Sequence, residues 1–233
     1  MKKNDFLKGI TDGLPICLGY LSVSFAFGIF ATESGLTVLE ALLVSMTNVT
    51  SAGQLAGVPI IAAGGSLFEL ALTQLVINLR YSLMSVSLSQ KLDTSVSLLD
   101  RFVISFVNTD EVFAVASGRK GKVGKKYLYG LIITPYIGWS AGTLVGAVVG
   151  NIFPQVIISS LGIAIYGMFI AIIIPKAKKS LSTALCVAVA IGLGCMFEYL
   201  PVINKTPQGF VIIICSVVAS ALFAWLKPIE EAE

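Results

Sequence analysis

Long apolar runs recur along this chain, and they leave few folds open to it. Eight segments each approach the ~20 residues that an α-helix needs to cross a bilayer. They are residues 14–31, 37–63, 65–88, 102–117, 127–150, 156–175, 181–200 and 208–226. Only 12% of the residues are charged, about half the share usual in soluble domains, so lipid is the expected solvent. We therefore predict an all-α, polytopic membrane helical bundle that forms a single domain over residues 1–233.

Basic residues are distributed unevenly among the connections. With eight crossings, one side would hold 12 of the 16 Lys and Arg residues: Lys2, Lys3, Lys8, Arg119, Lys120, Lys122, Lys125, Lys126, Lys176, Lys178, Lys179 and Lys227. The other side would hold Lys91, Arg101 and Lys205. Because cytoplasmic connections of membrane proteins are enriched in Lys and Arg, both termini are predicted to be cytoplasmic.

The second segment contains a polar interruption. Two apolar stretches flank residues 47–54, which are small or polar. Such a pattern is typical of a discontinuous membrane helix, in which freed backbone groups face protein or a watery cavity. Two ordinary helices joined by a surface loop are the alternative. We favour the broken helix because the loop would move the cluster of basic residues at 119–126 to the opposite side from the N-terminus.

Ionisable side chains also occur inside the apolar segments, where each costs about 2.5–3.5 kcal/mol to insert. Arg80 and Asp110 lie at similar depths relative to the connection 89–101, which predicts an ion pair of Arg80 with Asp110 or Glu111. Asp110 and Glu111 point about 100° apart on a helix, so one can pair while the other faces a cavity. A purely structural salt bridge is the alternative for Arg80.

These groups would suit a ligand that carries both an ammonium and a carboxylate. Asn78 and Thr109 lie beside the charged residues in the sequence. An acidic side chain could take the cation, while the exposed N–H groups of a half-helix near Gln54 could take the anion.

Several other chemistries are disfavoured. The chain has no His, which removes His-based metal sites and Ser-His or Cys-His dyads, and its four Cys lack metal or redox spacing. The glycine-rich stretch 138–142 matches a nucleophile elbow, but that motif needs a strand and a triad His. Gly138, Gly142, Gly146 and Gly150 instead have the spacing of closely packed membrane helices. We expect no enzyme activity, no cofactor, no metal and no nucleic-acid partner.

Three stretches of the sequence resemble the AzlC family, the large subunit of branched-chain amino acid exporters. They are Pro15-x-x-x-Gly19-Tyr20 onward to Gly28, Asn78-Leu79-Arg80, and residues 109–114 (Thr-Asp-Glu-Val-Phe-Ala). The resemblance implies a transporter of a bacterial cytoplasmic membrane that works with a small membrane subunit of the AzlD type. It also implies that the cargo is a branched-chain or related apolar amino acid.

The leading hypothesis is a secondary exporter coupled to a proton or cation, with a substrate or ion site made by polar residues of three segments. These residues are Asp110, Glu111, Thr109, Asn78, Arg80, Gln54, Ser51 and Gly53. The alternative is a structural or gating subunit whose partner forms the conducting path. A third hypothesis, an intramembrane hydrolase, is disfavoured because the chain has no His and both acids of the pair lie on one helix.

Overall fold

The computed structural model describes residues 5–150, 170, 173–175, 177–201 and 203–226. Its helices are α1 (Asp5–Glu33), α2 (Val38–Thr47), α3 (Ser51–Ala62), α4 (Leu67–Ser89), α5 (Leu98–Phe106), α6 (Asp110–Gly118), α7 (Lys125–Val149), α8 (Leu181–Tyr199) and α9 (Gln208–Leu226). The all-α class is confirmed for these residues. The predicted segment 156–175 lies almost wholly outside them.

The described residues divide into two compact units. Unit 1 comprises residues 5–55 and 78–150, and unit 2 comprises residues 56–77 and those described from 170 onward. In unit 2, α8 packs against α9, and the N–H of Gly209 at the start of α9 donates to the buried Glu69 carboxylate at 2.9 Å. The single membrane domain expected from the sequence stays a prediction.

Unit 1 is built on the close parallel packing of α1 and α7. Gly138 faces Cys17 and Gly142 faces Leu21, so the contacting residue numbers rise together along both helices. A Cβ added at Gly142 would lie 2.6 Å from the Leu21 carbonyl oxygen, closer than atoms can approach. The glycine spacing that predicts helix packing is therefore confirmed, and α1 and α7 provide the scaffold on which the shorter helices rest.

The second segment is broken, as the sequence indicates. Helix α2 begins with a capping box in which Thr37 and Glu40 bond each other's backbone, and it ends at Thr47. The helix resumes at Ser51, which narrows the break from residues 47–54 to residues 48–50.

The chain also bends back at this first break. The Gln54 amide donates to Ser45 Oγ at 2.9 Å, although nine residues separate them. Collinear half-helices would place the two Cα atoms more than about 13 Å apart, too far for these side chains to meet.

A second broken helix was not expected. The predicted crossing 102–117 is instead two nine-residue helices, α5 and α6, separated by residues 107–109. The connections before α5 and after α6 are joined: Asp93 N–H donates to Val123 O at 3.0 Å, and Val123 N–H donates to Lys91 O at 2.8 Å. Both ends of the α5–α6 hairpin therefore lie at one end of unit 1, which we call the loop end. The prediction that 102–117 crosses the membrane is wrong.

Four helices of the described residues are long and apolar enough to cross a membrane: α1, α7, α8 and α9. Helices α2 and α3 are apolar but shorter. Helix α4 has 23 residues, and its polar Glu69, Gln74, Asn78 and Arg80 make it less apolar than those four. The α5–α6 hairpin would enter and leave a bilayer on the same side. The predicted number of eight crossings is therefore too high by at least one.

Candidate functional site

The two helix breaks meet at a small open cavity of about 170 Å³ in unit 1. One part of it is lined by residues 47–50, at the first break, and another by residues at the second break: Ser105, Phe106, Asn108 and Thr109. Asn78 and Tyr81 of α4 complete the lining. Since this volume is below the roughly 300–1,000 Å³ of drug-sized pockets, the cavity suits a small ligand.

At the first break, Thr50 connects the start of α3 to α4. Its hydroxyl donates to Asn78 Oδ1 at 3.0 Å and accepts from Gly53 N–H at 3.4 Å. The Asn48 carbonyl accepts from Thr50 N–H, which closes a tight turn between the half-helices. The predicted residues Ser51 and Gly53 thus lie in the first turn of α3, directly after the cavity wall.

At the second break, Thr109 is the N-cap of α6, where its hydroxyl accepts from Val112 N–H at 3.5 Å. The neighbouring Asn108 is 97% buried, and its amide donates to Ser85 Oγ at 3.2 Å. Its carbonyl oxygen Oδ1 has no hydrogen-bond partner among the described residues. A buried acceptor without a donor is costly, so a ligand donor in the cavity would compensate for it.

The predicted ion pair between Arg80 and Asp110 is present beside the cavity. Arg80 also lies over the ring of Tyr81, 4.8 Å from its centroid, and donates to the Tyr81 hydroxyl at 3.2 Å. Both charged side chains are about half exposed, at 46% and 45%. Asp110 stands in the first turn of α6, where the partial positive charge of the helix N-terminus favours a carboxylate. Arg80 thus orients Tyr81, which lines the cavity.

Glu111 is connected to the cavity through Tyr20 of α1. The Tyr20 hydroxyl lies 2.6 Å from Thr109 Oγ1 and also donates to the Glu111 carboxylate. A phenol has a single proton, and the carboxylate is the stronger acceptor, so Thr109 can donate to the Tyr20 oxygen. A short hydrogen-bond chain therefore runs from the cavity lining at Thr109 to an acidic side chain.

Gln54 was predicted as a residue of the binding site, but it lies in a buried hydrogen-bond network. Its side chain is fully buried, donates to Ser45 Oγ, and accepts from Trp139 Nε1 at 2.9 Å. Ser45 in turn is 2.5 Å from Thr143 Oγ1 on α7. These bonds fix the α2–α3 bend to the scaffold, and Gln54 does not line the cavity.

The structure therefore separates the predicted residues by location. Thr109 and Asn78 line the cavity, Arg80 and Asp110 flank it, Glu111 reaches it through Tyr20, and Ser51, Gly53 and Gln54 support it from α3. The sequence prediction missed Asn108, Thr50 and Tyr81 as lining residues. Two of them had a readable signal: Asn108 opens the polar run 108–111 inside an apolar segment, and Thr50 lies in the polar stretch 47–54.

The arrangement can accommodate charges of both signs. Helices α3 and α6 begin at the cavity wall and present N–H groups and partial positive charge, while α2 and α5 end there and present carbonyl groups and partial negative charge. The hydroxyl and amide groups of the lining can donate or accept. A small zwitterion is the kind of ligand that such a cavity binds without a net charge in the lining itself.

Comparison with known proteins identifies relatives over most of the chain. A family model described as AzlC protein matches residues 15–153, which include both helix breaks and α4. The inner membrane protein YgaZ of Escherichia coli is 29% identical over 80% of this chain and 78% of its own length. An uncharacterized membrane protein of Archaeoglobus fulgidus is 30% identical over 74% of this chain and 76% of its own.

A further uncharacterized membrane protein, from Helicobacter pylori, is 27% identical over 64% of this chain and 68% of its own length. No solved structure matches the chain. The relatives are membrane proteins by name, and the family model extends over more than half of the residues. The chain is a membrane protein that belongs to the AzlC family.

Proposed function

We propose that this chain is the large subunit of a secondary transporter that exports branched-chain or related apolar amino acids across the cytoplasmic membrane. The substrate site is the cavity between the two helix breaks. Membership of the AzlC family supports transport, and the cavity supports this chain as the subunit that binds the cargo. A small AzlD-type membrane subunit is the proposed partner.

The observation that carries the proposal is the convergence of four half-helix ends on one cavity beside an ion pair. Backbone interrupted at membrane depth is tolerated only where protein or a water-filled cavity satisfies its polar groups. Discontinuous helices of this kind form substrate and ion sites in transporters. An amino acid would place its carboxylate near the starts of α3 and α6 and its ammonium near the carbonyl ends of α2 and α5.

Glu111 is the proposed site of a coupling proton. Asp110 is already paired with Arg80, so Glu111 is the acid of the two without a cationic partner among the described residues. The Tyr20–Thr109 hydrogen bonds connect it to the cavity. Binding of an amino acid can therefore change the hydrogen bonding of Glu111 without direct contact.

The loop end of unit 1 is proposed to face the cytoplasm. It carries all the basic residues of residues 5–150 except Arg80: Lys8, Lys91, Arg101, Arg119, Lys120, Lys122, Lys125 and Lys126. The opposite end, at residues 33–38 and 149–150, carries none. Placing Lys91 and Arg101 with the cluster at 119–126 makes the charge asymmetry stronger than it is with eight crossings.

Efflux of preloaded, labelled leucine from cells that contain this chain and its partner tests the proposal. We expect Asn78→Leu and Asn108→Leu to lower efflux about tenfold or more, because hydrogen bonds to charged groups contribute about 1.5–3 kcal/mol. Asn204→Leu, on an exposed connection of unit 2, is the matched control. Efflux that is unchanged in both cavity variants at equal membrane abundance would refute the site.

A structural or gating role remains the competing function. Substrate binding by the purified chain alone separates the two. We expect leucine to raise the melting temperature of the chain in detergent, and the rise to disappear in Asn108→Leu. A chain that shows no leucine-dependent shift without its partner would favour the gating role.

A further inference from the structure

A second cavity lies between α4 and α5, nearer the loop end than the helix breaks. It has a volume of about 240 Å³, and it shares Ser105 with the central cavity. The hydrogen bond from the Asn108 amide to Ser85 Oγ stands at the boundary between the two, because Asn108 lines one cavity and Ser85 lines the other.

Two polar rows face each other across this second cavity. Ser85 and Ser89 are four residues apart on α4, and Arg101 and Ser105 are four residues apart on α5. Residues at this spacing share one face of a helix. Arg101 and Ser105 are exposed, and the cavity lies toward the loop end with its basic residues, so the two rows indicate a space that is open to water.

Arg101 is the arginine without an ion-pair partner among the described residues. Arg80 is paired with Asp110, and Arg119 is paired with Asp5. The exposed Arg101 makes no side-chain hydrogen bond or ion pair with the residues that the structure describes. Its planar guanidinium matches a carboxylate in geometry and charge.

The remaining lining is apolar, from Val86, Leu88, Leu92 and Ile104. The second cavity therefore offers one cationic group, the hydroxyls of Ser85 and Ser105, and an aliphatic wall, while the Ser89 hydroxyl donates to Val86 O at 2.6 Å. A small carboxylic acid with an aliphatic side chain is the ligand class that fits all three features.

We propose that this second cavity is a vestibule, in which Arg101 captures the carboxylate of the cargo before it passes the Ser85–Asn108 contact into the central cavity. The inference rests on the proposed function for the identity of the cargo. The existence of a water-filled path from the loop end does not depend on that identity, and the two can be tested separately.

Cysteine accessibility in the full-length chain provides the test. Ser105→Cys places a thiol in the vestibule, and Val103→Cys, two residues away, places one in an apolar groove on another face of α5. Both are treated in membrane vesicles with small membrane-impermeant thiosulfonate reagents, one anionic and one cationic. Peptide mass spectrometry separates the new thiol from the four native Cys residues.

We expect the thiol of Ser105→Cys to react much faster than that of Val103→Cys, and the anionic reagent to be preferred. Adding Arg101→Gln should lower this preference on the order of fivefold. An exposed ion pair changes a binding equilibrium by up to about that factor. Leucine should slow labelling of Ser105→Cys, and Arg101→Gln should weaken that protection.

Equal labelling of the two thiols would overturn the vestibule, and an anion preference that survives Arg101→Gln would overturn the role of Arg101. If the preference depends on Arg101 but leucine protects nothing, the vestibule stands and the amino-acid cargo of the proposed function is refuted.

Discussion

Replacement of Gln54 by Leu tests whether a buried hydrogen-bond network fixes the first helix break to the scaffold. Leu keeps much of the volume but removes both bonds of the amide, from Trp139 Nε1 and to Ser45 Oγ, each 2.9 Å long. The Trp139 N–H is then left in a site that is only 3% exposed. Trp139 Nε1 has no other acceptor among the described residues, so the indole donor loses its partner.

The expected cost follows from the number of bonds and from the membrane setting. Interhelical hydrogen bonds in membrane proteins contribute about 0.6 kcal/mol on average and up to about 1.7 kcal/mol. Two such bonds give a loss of roughly 1–3 kcal/mol in the free energy of unfolding. For a chain of this size, each kcal/mol lowers the melting temperature by about 2–4 °C, so we expect a decrease of roughly 2–12 °C.

Thermal unfolding in mild detergent measures this decrease, with Gln90→Leu as the control. Gln90 is exposed at the end of α4, and a surface substitution there should change stability by less than about 0.5 kcal/mol. A double-mutant cycle with Trp139→Phe should show coupling of at least about 0.5 kcal/mol, because the two side chains share one bond. Gln54→Leu melting like the control, or strict additivity with Trp139→Phe, would refute the reasoning.

Three further predictions concern packing, capping and topology. In thermal unfolding, Gly142→Ala should lower the free energy of unfolding by more than about 2 kcal/mol because its Cβ would meet Leu21 O. Gly192 has open space around it, so Gly192→Ala should leave the free energy of unfolding unchanged or raise it by up to about 1 kcal/mol. Thr109→Val should cost about 1 kcal/mol in the same assay through loss of the α6 cap; an unchanged melting temperature would contradict the cap. The variants Gln90→Cys and Lys120→Cys should react with a membrane-impermeant thiol reagent from the same side of the membrane. Reaction from opposite sides would show that 102–117 crosses it.

The first break could be predicted because its signal is local. A run of small and polar residues inside an apolar segment has few solutions in lipid, and the half-helices on either side are long enough to recognise. The capping role of Thr50 and the bend at residues 48–50 lay beyond that signal, because they depend on Asn78 and on Ser45–Gln54 contacts across the fold.

The second break could not be separated from an ordinary crossing in the same way. Residues 102–117 are close to the length of a short membrane span, and the polar run 108–111 reads equally well as charged groups facing a bundle interior. The hydrogen bonds between residues 91–93 and Val123 show that 102–117 folds as a hairpin. These segments are about thirty residues apart, and their contact cannot be predicted from composition. The basic residues gave a partial indication of the hairpin. Eight alternating crossings placed Lys91 and Arg101 on the side opposite most of the other basic residues, whereas the enrichment of Lys and Arg on the cytoplasmic side favours placing them together.

The Arg80–Asp110 pair was nevertheless predicted correctly from a topology that is wrong in part, and the geometry explains why. Depth was counted from the connection that joins α4 to α5, and Arg80 lies nine residues before the end of α4 at Ser89. In a crossing helix over 102–117, Asp110 would lie near the middle of the membrane, eight residues from Phe102 and seven from Ser117. In a hairpin whose ends lie together, Asp110 is near the tip, so either count places it deep, close to Arg80. A matched depth therefore predicts a contact between neighbouring segments but does not distinguish a crossing helix from a re-entrant one, whereas the contacts of the flanking loops do.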